Sequence, residues 1–336
     1  MDEQIKKQFE LLREKYNLTG QDIHAYLDGL LISNYLTYWD YVEVDTLLTL
    51  QRPKTDFPDE FIFIVYHQIT ELYFKLCLHE LEQLSKNGVI IDSNGQLKGY
   101  RPKPDARFMT ERINRINAYF EALTKSFDIM IHGMEPGQFK RFRMALLPAS
   151  GFQSAQYRMV EIASTDLSQL VKHDRREKFS DGTHSIEEMF EHIYWKQGAT
   201  DLSTGKKTLT LRQFEEKYTE KLIELAHAYK DSNLRRKYHQ LSKTDQQNPD
   251  LRKALRQLDV NVNINWPLVH YKSAVRYLAD KEGDVAATGG TNWQKYLPPR
   301  FQKRIFYPEL WSEEEIENWG RGWVREVLAD RIEMNI

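Results

Sequence analysis

The chain has 336 residues and a formal net charge of −2, from 47 Lys and Arg against 49 Asp and Glu. This balance gives no basic bias toward nucleic acid, and we expect no membrane span, because no stretch approaches the apolar length of one. The single cysteine, Cys77, excludes an intrachain disulfide. Together with an N-terminus that lacks a signal-peptide pattern, it favours a cytoplasmic location.

The first fifty residues predict helices. Apolar side chains recur at helical spacing over residues 5–16 and again over 23–31. Tyr38 and Tyr41 follow at a separation of three residues, so they share one face of a helix.

The stretch 58–84 predicts the central helix of the fold. Pro58 suits an early helical position, and Asp56 is placed to cap the first turn. The first turns are apolar nearly all round, which predicts burial on every side. His67 lies in this part. By pattern alone it is either a core histidine with one hydrogen bond or a polar group that projects into a binding cavity.

Two polar segments, near 86–105 and 172–257, predict peripheral inserts in a single domain that spans 1–336. Ser93-Asn94-Gly95 lies between short apolar runs, which is typical of a small surface hairpin. Between the inserts, the apolar residues of 105–131 alternate steps of four and three. This spacing predicts one long helix with a narrow seam. We therefore predict an all-α fold, a helical bundle with long antiparallel helices.

The stretch 139–161 holds the first candidate chemistry. Phe139 and Arg143 are one helical turn apart, so an aromatic face and a guanidinium are able to point at the same space. Arginine is suited to gripping a carboxylate through two parallel hydrogen bonds. A surface ion pair is an equal alternative for Arg143 by spacing alone. Ser150-Gly151 then makes a turn.

Two further stretches carry polar groups. Residues 260–266 alternate apolar side chains and asparagines, a period typical of a strand, yet Pro267 and a helical pattern follow at once. His270 falls in the first turns of that helix, where a neutral imidazole is able to bind iron or zinc, although one histidine proves neither. Thr288-Gly289-Gly290 makes a loop whose backbone is able to approach a polar ligand, and an ordinary turn is its default interpretation.

These stretches together resemble the tryptophan 2,3-dioxygenase family. The most specific part is the run SGFQSAQYRMVE at 150–161. It is joined, in the order of the family, by the segments 36–41, 63–72, 266–270 and 288–290. The resemblance extends from about Leu36 to Tyr296, with gaps over the polar inserts.

The resemblance implies roles for the residues that match. His270 matches the proximal haem ligand, the axial ligand of the iron. His67 matches the distal histidine that binds the indole N–H, and Phe63 matches the aromatic residue beside the indole. Ser150 and Gly151 match the turn against the haem.

Further matches concern the polar end of the substrate and the assembly. Arg143 matches the residue that pairs with the substrate carboxylate, and Phe139 falls where the family carries Tyr or Phe nearby. Thr288 matches a residue that contacts the ammonium and carboxylate groups. Tyr38 and Tyr41 match tyrosines that reach the pocket from a neighbouring subunit, since the family forms helical homotetramers.

The implied activity is that of a haem dioxygenase. Ferrous haem b binds O2, which adds across the indole C2–C3 bond of L-tryptophan and opens the ring to N-formylkynurenine. The helical bundle is then expected to enclose a haem pocket.

Two alternatives stay open. One is a haem enzyme of the same superfamily that hydroxylates or cleaves another indole or aromatic amino acid. The other is a non-catalytic protein that binds haem or an indole. Ala287 stands before Thr288 where the family usually has Gly, and Tyr73 stands where Trp is common, so the substrate is less defined than the cofactor.

Overall fold

The structure is a computed structural model, and it describes residues 2–92, 95–179, 182–199, 206–278, 294 and 297–321. It is mostly helical, and the predicted all-α class is confirmed. The internal contacts of the chain define two compact units. Unit 1 comprises 1–50 and 89–101, and unit 2 comprises 51–88 and 102–336. The single domain over 1–336 stays a prediction.

The described residues of unit 1 form four helices and one antiparallel hairpin. Short polar side chains start the helices: Asp2, Asp22 and Thr37 accept backbone N–H groups of the first turns. The elements are α1 (Glu3–Leu18), α2 (Ile23–Ile32), α3 (Tyr38–Val42), α4 (Val44–Leu47), β1 (Val89–Ile91) and β2 (Leu97–Tyr100). Val89 pairs with Tyr100, which confirms the small hairpin predicted in the first polar insert.

Unit 1 has almost no interior of its own. Ile23 is the only buried residue among those described in this unit. Large apolar and aromatic side chains face outward instead: Leu31 is 83% exposed and Tyr35 is 86% exposed. The described contacts within unit 1 therefore leave most of its apolar surface uncovered.

Unit 2 is a helical bundle. Its α-helices are α5 (Pro58–Ser85), α6 (Ala106–Ser126), α7 (Asp128–His132), α8 (Pro136–Phe142), α9 (Ala155–Ser164), α10 (Leu167–Leu170), α11 (Ile186–Glu191), α12 (Trp195–Gly198), α13 (Leu209–Tyr229), α14 (Leu234–Gln240), α15 (Lys243–Gln246), α16 (Pro249–Val260), α17 (Trp266–Leu278), α18 (Pro299–Gln302) and α19 (Glu313–Glu317). A π-helical turn, Asn261–Asn265, joins α16 to α17. The 3₁₀ turns are Arg143–Leu146, Gly151–Gln153, His173–Arg175, Glu177–Phe179 and Pro308–Leu310.

Helix α5 is the central helix, as predicted, and it packs on α6 and α9. The predicted cap is wrong, because no side chain caps its first turn. The carboxylate of Glu60 instead folds back and accepts the N–H groups of Lys54 at 2.6 Å and Thr55 at 2.8 Å. Burial on every side is also wrong, since Phe61 is 51% exposed.

One helix contradicts the expected lack of a stretch with the apolar length of a membrane span. Helix α5 is long and apolar enough to cross a membrane by length and composition, so one stretch does approach that limit. It also packs on α6 and α9. The carboxylates of Glu60 and Glu80 on this helix are buried, and each has hydrogen-bond partners, as buried charged groups in a protein interior require.

The long helix predicted over 105–131 is two helices. Helix α6 ends at Ser126, Phe127 forms the junction, and α7 begins at Asp128. The predicted seam is confirmed, because its members on α6 are fully buried: Met109, Ile113, Ile116, Phe120 and Leu123. This stripe packs against α5 and α16 and forms the centre of the core of unit 2.

Candidate active site

His67 lies on α5 with a defined tautomer. Its Nδ1 atom is 2.7 Å from the carbonyl oxygen of Phe63, one helical turn earlier. A carbonyl only accepts, so Nδ1–H donates and Nε2 keeps its lone pair. Burial lowers the pKa of His67, which keeps the imidazole neutral. The ring centroid lies 4.1 Å from that of Phe63, so the two side chains share one face.

His270 on α17 has the same geometry. Its Nδ1 atom is 2.9 Å from the carbonyl oxygen of Trp266, again four residues earlier, so Nδ1–H donates and Nε2 is left as a ligand atom. Burial lowers the pKa of His270 to about 4, and the nearby His67 adds to the effect. The imidazole is thus neutral at physiological pH, which is the form that binds a metal.

Two aromatic rings fix the orientation of His270. The centroid of Phe127, at the junction of α6 and α7, lies 4.5 Å from that of His270. Trp266 lies at the same distance in an edge-on arrangement. The spacing of four residues between Trp266 and His270 identified Trp266 from the sequence. Phe127 was missed as a neighbour of His270, because its spacing made it one more member of the apolar seam.

Phe139 lies near Phe63, and Arg143 follows it by one helical turn. The centroid of Phe139 is 6.2 Å from that of Phe63 and 4.7 Å from that of Tyr277, so Phe139 links α5, α8 and α17. The N–H of Arg143 donates to the carbonyl of Phe139, which confirms their separation by one turn. Arg143 is only 7% exposed, which disfavours the surface ion pair.

The turn at Ser150-Gly151 is shaped by a capping box. Ser150 accepts the N–H of Phe152, and the Gln153 side chain accepts the N–H of Ser150. A Cβ added to Gly151 would meet no heavy atom within 4 Å. The described contacts of this turn include α13, where Gln153 Nε2 donates to the carbonyl of Thr210 at 3.3 Å. The haem contact of this turn stays a prediction.

Three predicted residues are not among these described side chains of unit 2. Tyr38 and Tyr41 share helix α3 of unit 1, where they are 72% and 77% exposed. Thr288 lies outside the described residues. The structure therefore brings together Phe63, His67, Phe139 and His270, with Arg143 one turn from Phe139.

Sequence reasoning missed a link between the signature and α5. Gln156 Nε2 donates to Glu71 twice, to the backbone carbonyl at 2.9 Å and to the carboxylate at 2.7 Å. Glu71 follows His67 by one helical turn, and its charge favours the protonated form of that imidazole. Both residues belong to segments that match the family, so the sequence offered them as candidates for a contact between these two segments.

A groove with a volume of about 530 Å³ lies elsewhere, on the outer face of α16. None of the predicted site residues lines it; its lining is Gln247, Pro249, Arg252, Lys253, Arg256, Gln257, Val260 and Trp311. Within the described ranges, no three His, Cys, Asp or Glu side chains cluster closely enough to hold a bare metal ion.

Comparison with known proteins gives consistent matches. A family model described as Tryptophan 2,3-dioxygenase matches residues 30–201. A tryptophan 2,3-dioxygenase of Bacillus thuringiensis subsp. konkukian is 30% identical over 288 residues, which cover 82% of this chain and 91% of the relative. Those of Ruegeria sp. and Herpetosiphon aurantiacus are 28% and 29% identical, over 82% and 84% of this chain and 91% and 98% of their own lengths.

Proposed function

Because this chain belongs to the tryptophan 2,3-dioxygenase family, we propose that it is a haem-dependent dioxygenase that inserts O2 across the indole C2–C3 bond of L-tryptophan. The product is N-formylkynurenine. One observation carries the proposal: two neutral imidazoles, His67 and His270, lie close together with Nδ1 bound to a backbone carbonyl and Nε2 available.

The donor set of unit 2 fits haem b. His270 Nε2 is a neutral nitrogen ligand on a rigid helix, and Phe127 and Trp266 limit the rotation of its ring. The space beside the Cα of Gly151 suits close approach of a flat macrocycle. Ferrous haem, when bound, supplies the binding and activation of O2.

The residues around His67 suit an indole amino acid. Phe63 and Phe139 offer aromatic walls for the ring, and the lone pair on His67 Nε2 accepts the indole N–H. Arg143, largely removed from water, pairs with the substrate carboxylate through two parallel charge-assisted bonds. These contacts bind and orient the substrate and exclude water while the cofactor performs the oxidation.

We extend the proposal to the assembly. The uncovered apolar side chains of unit 1 suit contact with further copies of this chain, as in a homotetramer. Tyr38 and Tyr41 then reach the site of a neighbouring subunit, and Thr288 contacts the ammonium and carboxylate of the substrate. The nearly neutral charge of −2 and the packing of α5 in a bundle suit a cytoplasmic protein without nucleic-acid or membrane partners.

One experiment separates this function from the alternatives. The haem-loaded, reduced protein is given L-tryptophan under ¹⁸O₂, and the product is analysed by mass spectrometry. A dioxygenase places both labelled atoms in N-formylkynurenine. A hydroxylase places one in its product, and a non-catalytic binding protein leaves the substrate unchanged. Either of the last two results would refute the proposed reaction.

A further inference from the structure

The helix that carries His270 contains a wide turn. From Pro249 to Leu278 the chain forms one helical rod, and Val260 and Trp266 both keep α-helical dihedral angles. Between them, Asn261–Asn265 form a π-turn, in which the Trp266 N–H donates to the carbonyl of Asn261, five residues earlier. Such single π-turns hold one residue more than an α-helical turn.

Pro267 gives a physical reason for this turn. Proline has no N–H, and within an α-helix its ring clashes with the carbonyl four residues earlier, here that of Asn263. A wider turn immediately before the proline relieves the clash without ending the helix. The alternating residues 260–266, whose period is typical of a strand, thus contain a π-turn in the structure.

The extra residue changes which side chain faces the site. Each residue of an α-helix advances by about 100°, so one additional residue turns all later side chains back by about that angle. Four apolar residues with no exposed surface belong to the main core of unit 2 and mark the face of α16 and the π-turn that packs on it: Leu251, Leu255, Leu258 and Val262. In an uninterrupted α-helix Val269 would continue this face. With the π-turn, His270 takes this position, with its ring 4.5 Å from that of Phe127, while Val269 packs beside it against the core.

The change of register leaves one carbonyl without its helical donor. In an α-helix the Trp266 N–H would donate to Val262 O, but here it donates to Asn261 O. The hydroxyl of Tyr157 on α9 takes its place and donates to Val262 O at 2.9 Å. Tyr157 is buried, which raises its pKa to about 12, so the hydroxyl keeps the proton that it donates.

Side chains of the turn are also fixed. Asn261 Oδ1 accepts from Gln257 at 3.1 Å and Asn265 at 3.0 Å, and its Nδ2 donates to Asn117 at 3.2 Å. Asn263 Nδ2 donates to the buried carboxylate of Asp259 at 2.7 Å. The asparagines therefore hold the wide turn to α6 and to its own helix.

We propose that Tyr157 is a positioning residue for His270. Its hydrogen bond to Val262 O stabilises the π-turn, and the π-turn directs His270, rather than Val269, to the site. The inference rests on the function proposed above, in which His270 binds the haem iron. Tyr157 acts on His270 through the helix, and its hydroxyl also accepts a hydrogen bond from Arg304 at 3.2 Å.

The test compares Tyr157→Phe with a matched control. Tyr238→Phe also removes a buried hydroxyl that donates to a backbone carbonyl, that of Gln246 at 2.8 Å, but it does not touch the π-turn. The haem-loaded proteins are mixed with excess apomyoglobin, and the rate of haem loss, the ferric absorption spectrum and the thermal midpoint are measured. Both variants should lower the midpoint by similar amounts.

Of these two variants, Tyr157→Phe alone should speed haem loss, by at least about tenfold as is typical for residues that orient a metal ligand, and alter the ferric spectrum. Pro267→Ala restores the missing N–H and should shift both readouts in the same direction, which keeps the test valid if Tyr157→Phe folds poorly.

Three results would overturn the inference. Wild-type haem loss and spectrum in both Tyr157→Phe and Pro267→Ala would show that the turn does not position His270. Equal haem loss from Tyr238→Phe would show that the effect is one of general stability. A wild-type protein that takes up no haem would refute the proposed function as well. This third result is seen in the wild-type measurement alone, which distinguishes it from the first two results.

Discussion

The two units of this chain differ in how far their apolar side chains are exposed. Unit 2 has a closed apolar core: Ile113 and Phe120 on α6 and Leu258 on α16 are 0% exposed. Unit 1 leaves apolar side chains outside, with Leu31 on α2 83% exposed and Tyr41 on α3 77% exposed. Both units are helical and both show helical apolar spacing, so secondary structure does not account for the difference.

The difference shows which unit is stabilised by its own packing. A segment with one buried residue among those described gains little from the hydrophobic effect, which scales with the apolar area removed from water. Exposed apolar patches of this extent mark contact surfaces. We infer that unit 2 folds around its own core and supplies the chemistry, while unit 1 obtains its burial from another copy.

The largest expected effect is in the core of unit 2. Phe120→Ala removes a ring with no exposed surface and should lower the free energy of unfolding by about 3–5 kcal/mol. Tyr35→Ala in unit 1, where the side chain is 86% exposed, is the matched substitution. Urea unfolding of both variants measures the contrast. Equal losses of stability would contradict the separation of the two units.

The next effect concerns substrate binding in unit 2. A hydrogen bond to a charged group contributes roughly 1.5–3 kcal/mol, so Arg143→Ala should lower kcat/KM for L-tryptophan at least about tenfold. Arg143→Lys keeps the charge but lacks the planar guanidinium that forms two parallel hydrogen bonds, so it should recover only part of the loss. Tryptamine, which lacks the carboxylate, is the control. An unchanged preference for L-tryptophan over tryptamine in Arg143→Ala would remove this residue from the site.

A smaller effect follows from the lowered pKa of His270. The unfolded chain protonates this imidazole near its ordinary pKa of about 6.5, while the folded protein does so only near 4, so its stabilising contribution is present above 6.5 and lost as the pH falls toward 4. By pH 5 the loss should reach about 2 kcal/mol.

The measurement is the free energy of unfolding of the haem-free protein at pH 7 and at pH 5. His270→Gln has no titrating group at this position and should lose less stability between the two values than the wild type. Parallel losses in the two proteins would show that the imidazole is not held neutral by the fold.

The smallest effect on the stability of one subunit is expected in unit 1. Trp39→Ala, at a position that is 57% exposed, should change the unfolding of a single subunit by no more than about 0.5 kcal/mol. Aromatic residues often dominate interfaces, so the same variant should associate more weakly. Its assembly should begin to dissociate at a higher protein concentration than that of the wild type. Sedimentation velocity over a dilution series measures this. Unaltered association would exclude Trp39 from the interface.

The sequence predicted those features that depend on local periodicity. The seam of α6 and the hairpin β1–β2 follow from spacing and turn residues, and the pairing of Phe139 with Arg143 follows from one helical turn. These features need no information about distant residues. The same holds for the two histidines, because a backbone carbonyl one turn earlier is available to any histidine on a helix.

The features that were missed depend on distant partners. The asparagine alternation has the period of a strand, and only the hydrogen bond from Trp266 to Asn261 identifies the π-turn. Helix α5 has no side-chain cap, and the buried carboxylate of Glu60 instead accepts the N–H groups of Lys54 and Thr55 in the preceding loop. Helical spacing in unit 1 predicted an apolar face but carries no information on what covers it.

We propose that Tyr38 and Tyr41 in unit 1 of one copy reach the site in unit 2 of another copy, and complementation tests this proposal most directly. His270→Ala inactivates unit 2, and the double variant Tyr38→Ala/Tyr41→Ala inactivates unit 1. The two proteins are co-expressed with different tags, and mixed assemblies are purified on both tags and assayed with L-tryptophan. Each variant alone should be inactive. Mixed assemblies should regain activity at about a quarter of the sites, because random pairing combines an intact unit 1 with an intact unit 2 at about that fraction of sites. Inactive mixed assemblies, or full activity in a monomer, would contradict the claim.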